Sequence, residues 1–206
     1  MKSYNEVLVG LFTVQDGSLE ILFLKKNNDP YAGYWILPSN IVKKDNFEQE
    51  ANNIILEKIG LENIKVYQSY TFSDLDRYPD KRVIATSYFG LVDSKTIDLK
   101  MIDTKYEKKW FKINEIPKMG FDHSIITNKL INDLRKLLLD QKLIVKFFPS
   151  DFTLGELQLF FESLEGKKLD RRNFRKRILN LDMIEKTGDK SDNKVGRPAT
   201  LYKFKD

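Results

Sequence analysis

The sequence predicts an α/β domain built on a mixed β-sheet, followed by a smaller unit of two helices and a β-hairpin. Three observations carry this expectation. Strand-like alternation and helix-like periodicity take turns along residues 1–143; two capped helices and two short strands follow along residues 144–206; and the charge balance shifts between the stretches. Residues 1–145 carry 21 basic and 20 acidic side chains, whereas 146–206 carry 14 and 10, so most of the net charge of +5 sits in the shorter C-terminal part. Two domains are expected, 1–143 and 144–206.

In the first domain, EVLVGLFTV and LEILFLKK read as strands around a QDGS turn, the second alternating about Ile21 and Phe23. NDPYAGYWILPSN is punctuated by Gly and Pro and reads as a loop. Phe47–Ile59 reads as one helix with Phe47, Ala51, Ile54, Ile55 and Ile59 on its apolar face, closed by Gly60. IKVYQSYTF and RVIATSYFGLV read as strands joined by the polar loop SDLDRYPDK, with KKWFKI a shorter strand. Asp122 is the expected N-cap of a long helix whose stripe includes Ile125, Ile126, Leu130, Leu134, Leu137 and Leu138.

LIVKFF reads as strand-like before a break at Pro149 and Ser150. Thr153 and Glu156 then form a capping box opening a helix to Ser163, which Gly166 ends. Asp170 caps a second helix with Phe174, Ile178 and Leu181 on one face. Met183–Thr187 and Leu201–Phe204 complete a hairpin, and helix, turn, helix and hairpin in that order describe a winged helix. Within KKLDRRNFRKR, seven Lys or Arg face the single Asp170, a density that suits a polyanion. Arg171, Arg172, Asn173, Arg175 and Lys176 on the second helix, with Lys194 and Arg197 in the hairpin loop, are the expected contacts to double-stranded DNA.

Composition excludes several classes. Cysteine is absent and His123 is the one histidine, which rules out disulfide staples, thiolate chemistry and a His-rich zinc site. No run approaches the roughly 18 apolar residues of a membrane span, and the N-terminus lacks the pattern of a signal peptide. A cytoplasmic protein without a membrane partner is expected.

Between Trp35 and Leu61 the chain resembles the Nudix family, whose box runs Gly, five residues, Glu, seven residues, Arg-Glu-apolar-any-Glu-Glu-any-Gly-apolar. The spacing is kept, with Ile55 as the apolar position and Gly60-Leu61 at the end, but Ser39 replaces the Gly, Asp45 the early Glu and Asn53 the Arg. The family places carboxylates at helix positions i, i+3 and i+4 to bind magnesium against a diphosphate. Here those positions read Ile54, Glu57 and Lys58, so neither catalytic nor metal-binding residues, nor a cofactor, are expected.

YTFSDLDRYPDKRV, KWFKINEIPKMGFDH, RRNFRKRILNLDMIEKTG and GRPATLYKF extend the resemblance to one subfamily, the bacterial Nudix-related transcriptional regulators. That resemblance implies an N-terminal Nudix α/β/α sandwich with a mixed sheet, a C-terminal winged helix, a homodimer and an inverted-repeat operator whose binding an effector modifies. In one branch the effector is ADP-ribose and the regulated genes concern NAD metabolism; in another it is a pentose such as arabinose. The expected effector contacts are Trp35, Glu57, Phe72, Asp76, Arg77, Tyr78, Arg82 and His123, where arginines pair phosphates and aromatic faces cover a base. An active hydrolase with an accessory DNA-binding tail, and a nucleic-acid-binding adaptor with an empty Nudix fold, are the competing readings.

Overall fold

The computed structural model describes residues 3–44, 46–92, 106–138, 144–148, 151–191 and 198–205. Asp45, Pro149, Ser150, Lys194 and Arg197 lie outside them. The first strand, β1 (Ser3–Gln15), explains the sandwich. Its even positions Leu8 and Phe12 enter one apolar cluster and its odd positions Val7, Val9 and Leu11 another, so both faces of the strand are covered. β2 (Ser18–Lys25) pairs antiparallel with β1 across the two-residue turn Asp16-Gly17, both at positive φ. β3 (Trp35–Ile36), β4 (Ser39–Ile41), β5 (Val66–Phe72), β6 (Arg82–Leu91) and β7 (Lys108–Lys112) complete a seven-stranded sheet of order β3-β2-β1-β6-β5, with β4 on β1 and β7 on β2. The β1–β6 pairing is parallel and the others antiparallel, which makes the sheet mixed.

One face carries α1 (Phe47–Ile54) and its continuation, whose Ala51, Ile54, Ile55 and Ile59 fill the odd-position cluster. The other carries α2 (His123–Leu137), whose Ile126, Leu130 and Leu134 fill the even-position cluster. Gly10 permits the approach of α2, since a Cβ there would lie 2.8 Å from Leu130 Cδ1.

The C-terminal unit contains β8 (Phe152–Thr153), α3 (Leu154–Glu165), α4 (Arg171–Asn180), β9 (Ile184–Lys190) and β10 (Thr200–Phe204), in a three-stranded sheet of order β8-β10-β9. Phe160, Phe174, Ile178 and Tyr202 join the apolar cluster that α2 shares with the large sheet. No helix among the described residues is long and apolar enough to cross a membrane.

Four expectations need correction. The helix expected over Phe47–Ile59 is α-helical to Ile54 and then a π turn over Ile55–Ile59, with Gly60 N–H reaching both Ile55 and Leu56 carbonyls. The wider turn changes which later residues share a face. LIVKFF is no strand where described: Val145–Phe147 forms a 3-10 turn because Phe147 and Phe148 pack on Phe160, while β8 takes the position beside β10. Two residues placed on apolar faces by periodicity are exposed: Ile125, 62%, on the first turn of α2, and Leu181, 45%, at the C-cap of α4. Asp122 precedes α2 but does not cap it, since both its oxygens are held by Arg77.

Candidate effector site and nucleic-acid interface

The box helix distributes its three key positions in three directions. Ile54 is fully buried, Glu57 is exposed, and the half-buried Lys58 donates from its ammonium to the Ser39 carbonyl while facing the Tyr106 ring at 5.4 Å. A buried methyl group, an outward carboxylate and a cation do not make the oxygen-rich shell that magnesium requires, so the residues present do not fit the family's metal. No group of three His, Cys, Asp or Glu suited to a metal occurs among the described residues.

Beside that helix lies a buried polar network. Arg77, 4% exposed, donates through Nε (2.6 Å) and Nη2 (2.9 Å) to Asp122, and through Nη2 to Glu6 at 3.5 Å. The Tyr78 hydroxyl donates to Glu6 at 3.0 Å, and the Ser39 hydroxyl hydrogen-bonds the same carboxylate. Ser39 thus joins the network to Lys58. Burial pushes the Glu6 carboxyl above its ordinary range, although Arg77 and both hydroxyls favour its charged form. Burial opposes charge on Arg77 as well, but the Asp122 carboxylate overrides it and holds the guanidinium more firmly protonated.

His123 is fully buried, and its Nδ1 accepts from the Leu37 N–H at 3.0 Å, which requires a neutral ring with Nδ1 unprotonated. Burial, helped by the nearby Arg77 charge, lowers its pKa to about 3. The unfolded chain takes up a proton near pH 6.5 and the folded chain does not, so this contribution to stability is complete above that pH and is lost as pH falls towards 3. We expect folding to weaken by about 2 kcal/mol between pH 7 and pH 5 from this group. Melting curves of wild type and His123→Asn across that window test it. An equal pH slope in the variant would remove His123 as the cause, and Glu6, with its raised pKa, acts in the opposite direction.

Of the expected effector contacts, Arg77, Tyr78 and His123 converge on this network, and Phe121 packs against Tyr78 (4.5 Å between ring centroids) and His123 (5.5 Å). Trp35 turns its ring onto Phe111 at 4.8 Å while its carbonyl holds Gly120 N–H. Phe72 is a core residue against Tyr70, and Asp76 is exposed. Arg82 is half-buried; its Nη1, Arg77 Nη1 and His123 Nε2 are buried with no hydrogen-bond partner among the described residues. Sequence reasoning missed Glu6, which lay in an apolar run with no local signal of a partner.

In the C-terminal unit, the Thr153–Glu156 capping box is reciprocal, at 3.1 and 2.7 Å, and Gly166 closes α3 at positive φ. The turn to α4 is tied by Glu162, whose carboxylate accepts from Leu169 N–H, Gln158 and Lys168; these bonds, the backbone one foremost, hold its pKa down to about 2. Asp170 caps α4 by accepting from Asn173 N–H at 2.8 Å. With Phe174 and Ile178 turned into the core, Arg171, Arg172, Asn173, Arg175 and Lys176 are all exposed on a locked helix. Arg177 is exposed too, its guanidinium 5.9 Å from the Phe161 ring. β9 runs past the expected Thr187 to Lys190, through Gly188 at φ +95 and a register shift against β10, so exposed Lys186 and Lys190 extend the basic surface onto the wing. A Gly within a polar stretch resembles a loop in sequence, which hid them.

The two units are in contact. Ser163 Oγ accepts from Leu19 N–H at 3.1 Å, and Arg135 Nε donates to the Leu164 carbonyl at 2.6 Å, at the C-terminal end of α3.

A mixed-sheet α/β/α sandwich with a box-like helix, carrying a winged helix whose capped second helix displays cations, defines the class of a DNA-binding transcriptional regulator. A family model described as the NrtR DNA-binding winged helix domain matches residues 144–204. The chain is 28% identical over 201 residues to the ADPR responsive transcriptional repressor NtrR of Acinetobacter baylyi, covering 95% of this chain and 80% of that one. It is 32% identical over 125 residues to an ADP-ribose pyrophosphatase of Methanocaldococcus jannaschii, covering 57% and 69% of the two chains. The crystal structure of Shewanella oneidensis NrtR complexed with a 27mer DNA is similar with a TM-score of 0.72 and 26% identity over 97% of this chain and 93% of that one. Together these matches support a Nudix-related transcriptional regulator.

Proposed function

We propose that this regulator is a cytoplasmic repressor whose Nudix domain, residues 1–143, binds ADP-ribose or a related nucleotide without hydrolysing it, and whose winged helix, 144–206, binds an inverted-repeat operator as a homodimer. The observation that carries the reading is the row of exposed cations on a helix held at both its cap and its core face, in a chain similar to an ADPR-responsive repressor. α4 is suited to the major groove, where Arg171 or Arg172 can read guanine, Asn173 adenine, and Arg175 and Lys176 phosphates. Lys194 and Arg197, outside the described residues, are proposed as further DNA contacts on the strength of their charge alone. The absence of hydrolysis is supported by the Ile54, Glu57, Lys58 arrangement, which lacks the carboxylates the chemistry uses.

The effector site is proposed around the Lys58, Ser39 and Arg77 network, with Tyr78, Arg82, His123, Glu57 and Asp76 in its walls and rim, while Trp35 and Phe72 pack against Phe111 and Tyr70. α2 leads from that network to Arg135, and so to α3 of the DNA-binding unit.

Gel shifts test the DNA half. Arg171→Ala and Arg172→Ala are each expected to weaken operator binding by about 1–3 kcal/mol, on a background that falls steeply with salt. Wild-type binding by both variants would sink the assignment. Thermal shift tests the effector half: ADP-ribose at a hundred times its Kd stabilises by about 2.7 kcal/mol. A shift with arabinose or xylose and none with ADP-ribose would replace the nucleotide by a pentose. Release of AMP from ADP-ribose with magnesium would make the protein a hydrolase.

A further inference from the structure

Resting on the effector reading above, we propose that Lys58 is a built-in cation that takes the place of the divalent metal, so that the effector's diphosphate is bound without magnesium. Three observations meet at this residue. It occupies the third carboxylate position of the box, where the family holds its metal. The π turn and the buried Ile54 leave its side chain half-buried, directed back across the box to Ser39 at the box's first position. Its ammonium therefore sits between the helix and a carbonyl oxygen, with an aromatic face at 5.4 Å, which is a cation's environment already filled by a cation.

The electrostatic consequence is a difference of charge. Three carboxylates around a divalent ion carry a net negative charge and need the ion before a diphosphate can approach. Glu57 turned outward and Lys58 turned inward leave a site that is attractive to phosphate as folded. Arg77, joined to Lys58 through Ser39 and Glu6, supplies a second positive charge nearby, but it is held by Asp122 and Glu6 and serves to fix the site's wall. Lys58, whose ammonium already lies beside the Ser39 carbonyl, is the group that meets the phosphates. Such a sensor reads nucleotide concentration without reading magnesium.

The test is titration calorimetry of the full chain with ADP-ribose, in magnesium and in EDTA, for wild type, Lys58→Met, Lys58→Arg and Lys58→Glu. The expected result is that wild type binds with the same affinity in both buffers, Lys58→Arg retains binding, and Lys58→Met loses about tenfold or more in both. Lys58→Glu, which replaces the cation beside the Ser39 carbonyl by a single carboxylate while Glu57 still points outward, is expected to bind ADP-ribose only weakly in both buffers. Operator binding by each variant serves as the check that it is folded. Wild-type binding that requires magnesium, or Lys58→Met binding at wild-type affinity, overturns the proposal while leaving ADP-ribose as effector. No binding of ADP-ribose by wild type in either buffer overturns the effector reading and this inference with it.

Discussion

Replacing Arg77 by Met is expected to destabilise the protein by about 3–5 kcal/mol, because it leaves buried carboxylate charge without its partner. Glu6 is 2% exposed and Asp122 shares its cation, so two acidic groups from elements far apart in the chain depend on one guanidinium. Methionine fills most of the volume, and the loss is therefore electrostatic in origin. Urea denaturation of Arg77→Met beside the triple change with Glu6→Gln and Asp122→Asn measures it. The triple variant should recover much of the loss, since it removes the charges that Arg77 neutralises. A loss below about 1 kcal/mol in the single variant would mean that the pair behaves as a solvated surface bridge.

Gly17→Ala is expected to cost about 2–4 kcal/mol and to loosen the winged helix from the sheet, through two separable effects. The φ of +75 disfavours any Cβ by about 1–2 kcal/mol. The added Cβ would also lie 2.7 Å from Leu159 Cβ and 2.9 Å from the Glu156 carbonyl, both on α3, forcing that helix away at a further cost of about 1–3 kcal/mol. Gly33→Ala isolates the first effect, having φ +82 and no neighbour within 4 Å of its Cβ position. Equal melting temperatures for the two variants would show that α3 does not press on the turn in solution. If the contact couples the domains, Gly17→Ala should also reduce the change in operator affinity that effector produces, with direct DNA contacts untouched.

Much of the fold was legible because it is local. β1 announced itself by its apolar run and β2 by alternation, on either side of an Asp-Gly turn, the Thr153–Glu156 box and the Asp170 cap by residue types three apart, and the recognition surface by a basic run in register with two apolar anchors, Phe174 and Ile178. The site was less legible. Trp35 and Phe72, chosen for their aromatic faces, pack against Phe111 and Tyr70, since an aromatic side chain looks the same in sequence whether it covers a ligand or a core. Lys58 was noticed for the carboxylate it displaces, but its attachment to Ser39 requires the π turn, which no helical periodicity reports.

By itself, then, the sequence determined that a box-bearing α/β domain precedes a capped, basic winged helix, because propensity, capping and charge density depend on neighbours within a few residues. Tertiary structure decided the partners. Arg77 meets Glu6 across 71 residues and Asp122 across 45, and Asp122, a suitable cap by sequence, gives up that role because a bidentate, charge-assisted pair in a buried site outweighs one backbone hydrogen bond. Gly17 shows both levels at one residue: the turn requires it for its φ, and the fold, by laying α3 within 3 Å of its missing side chain, requires it again.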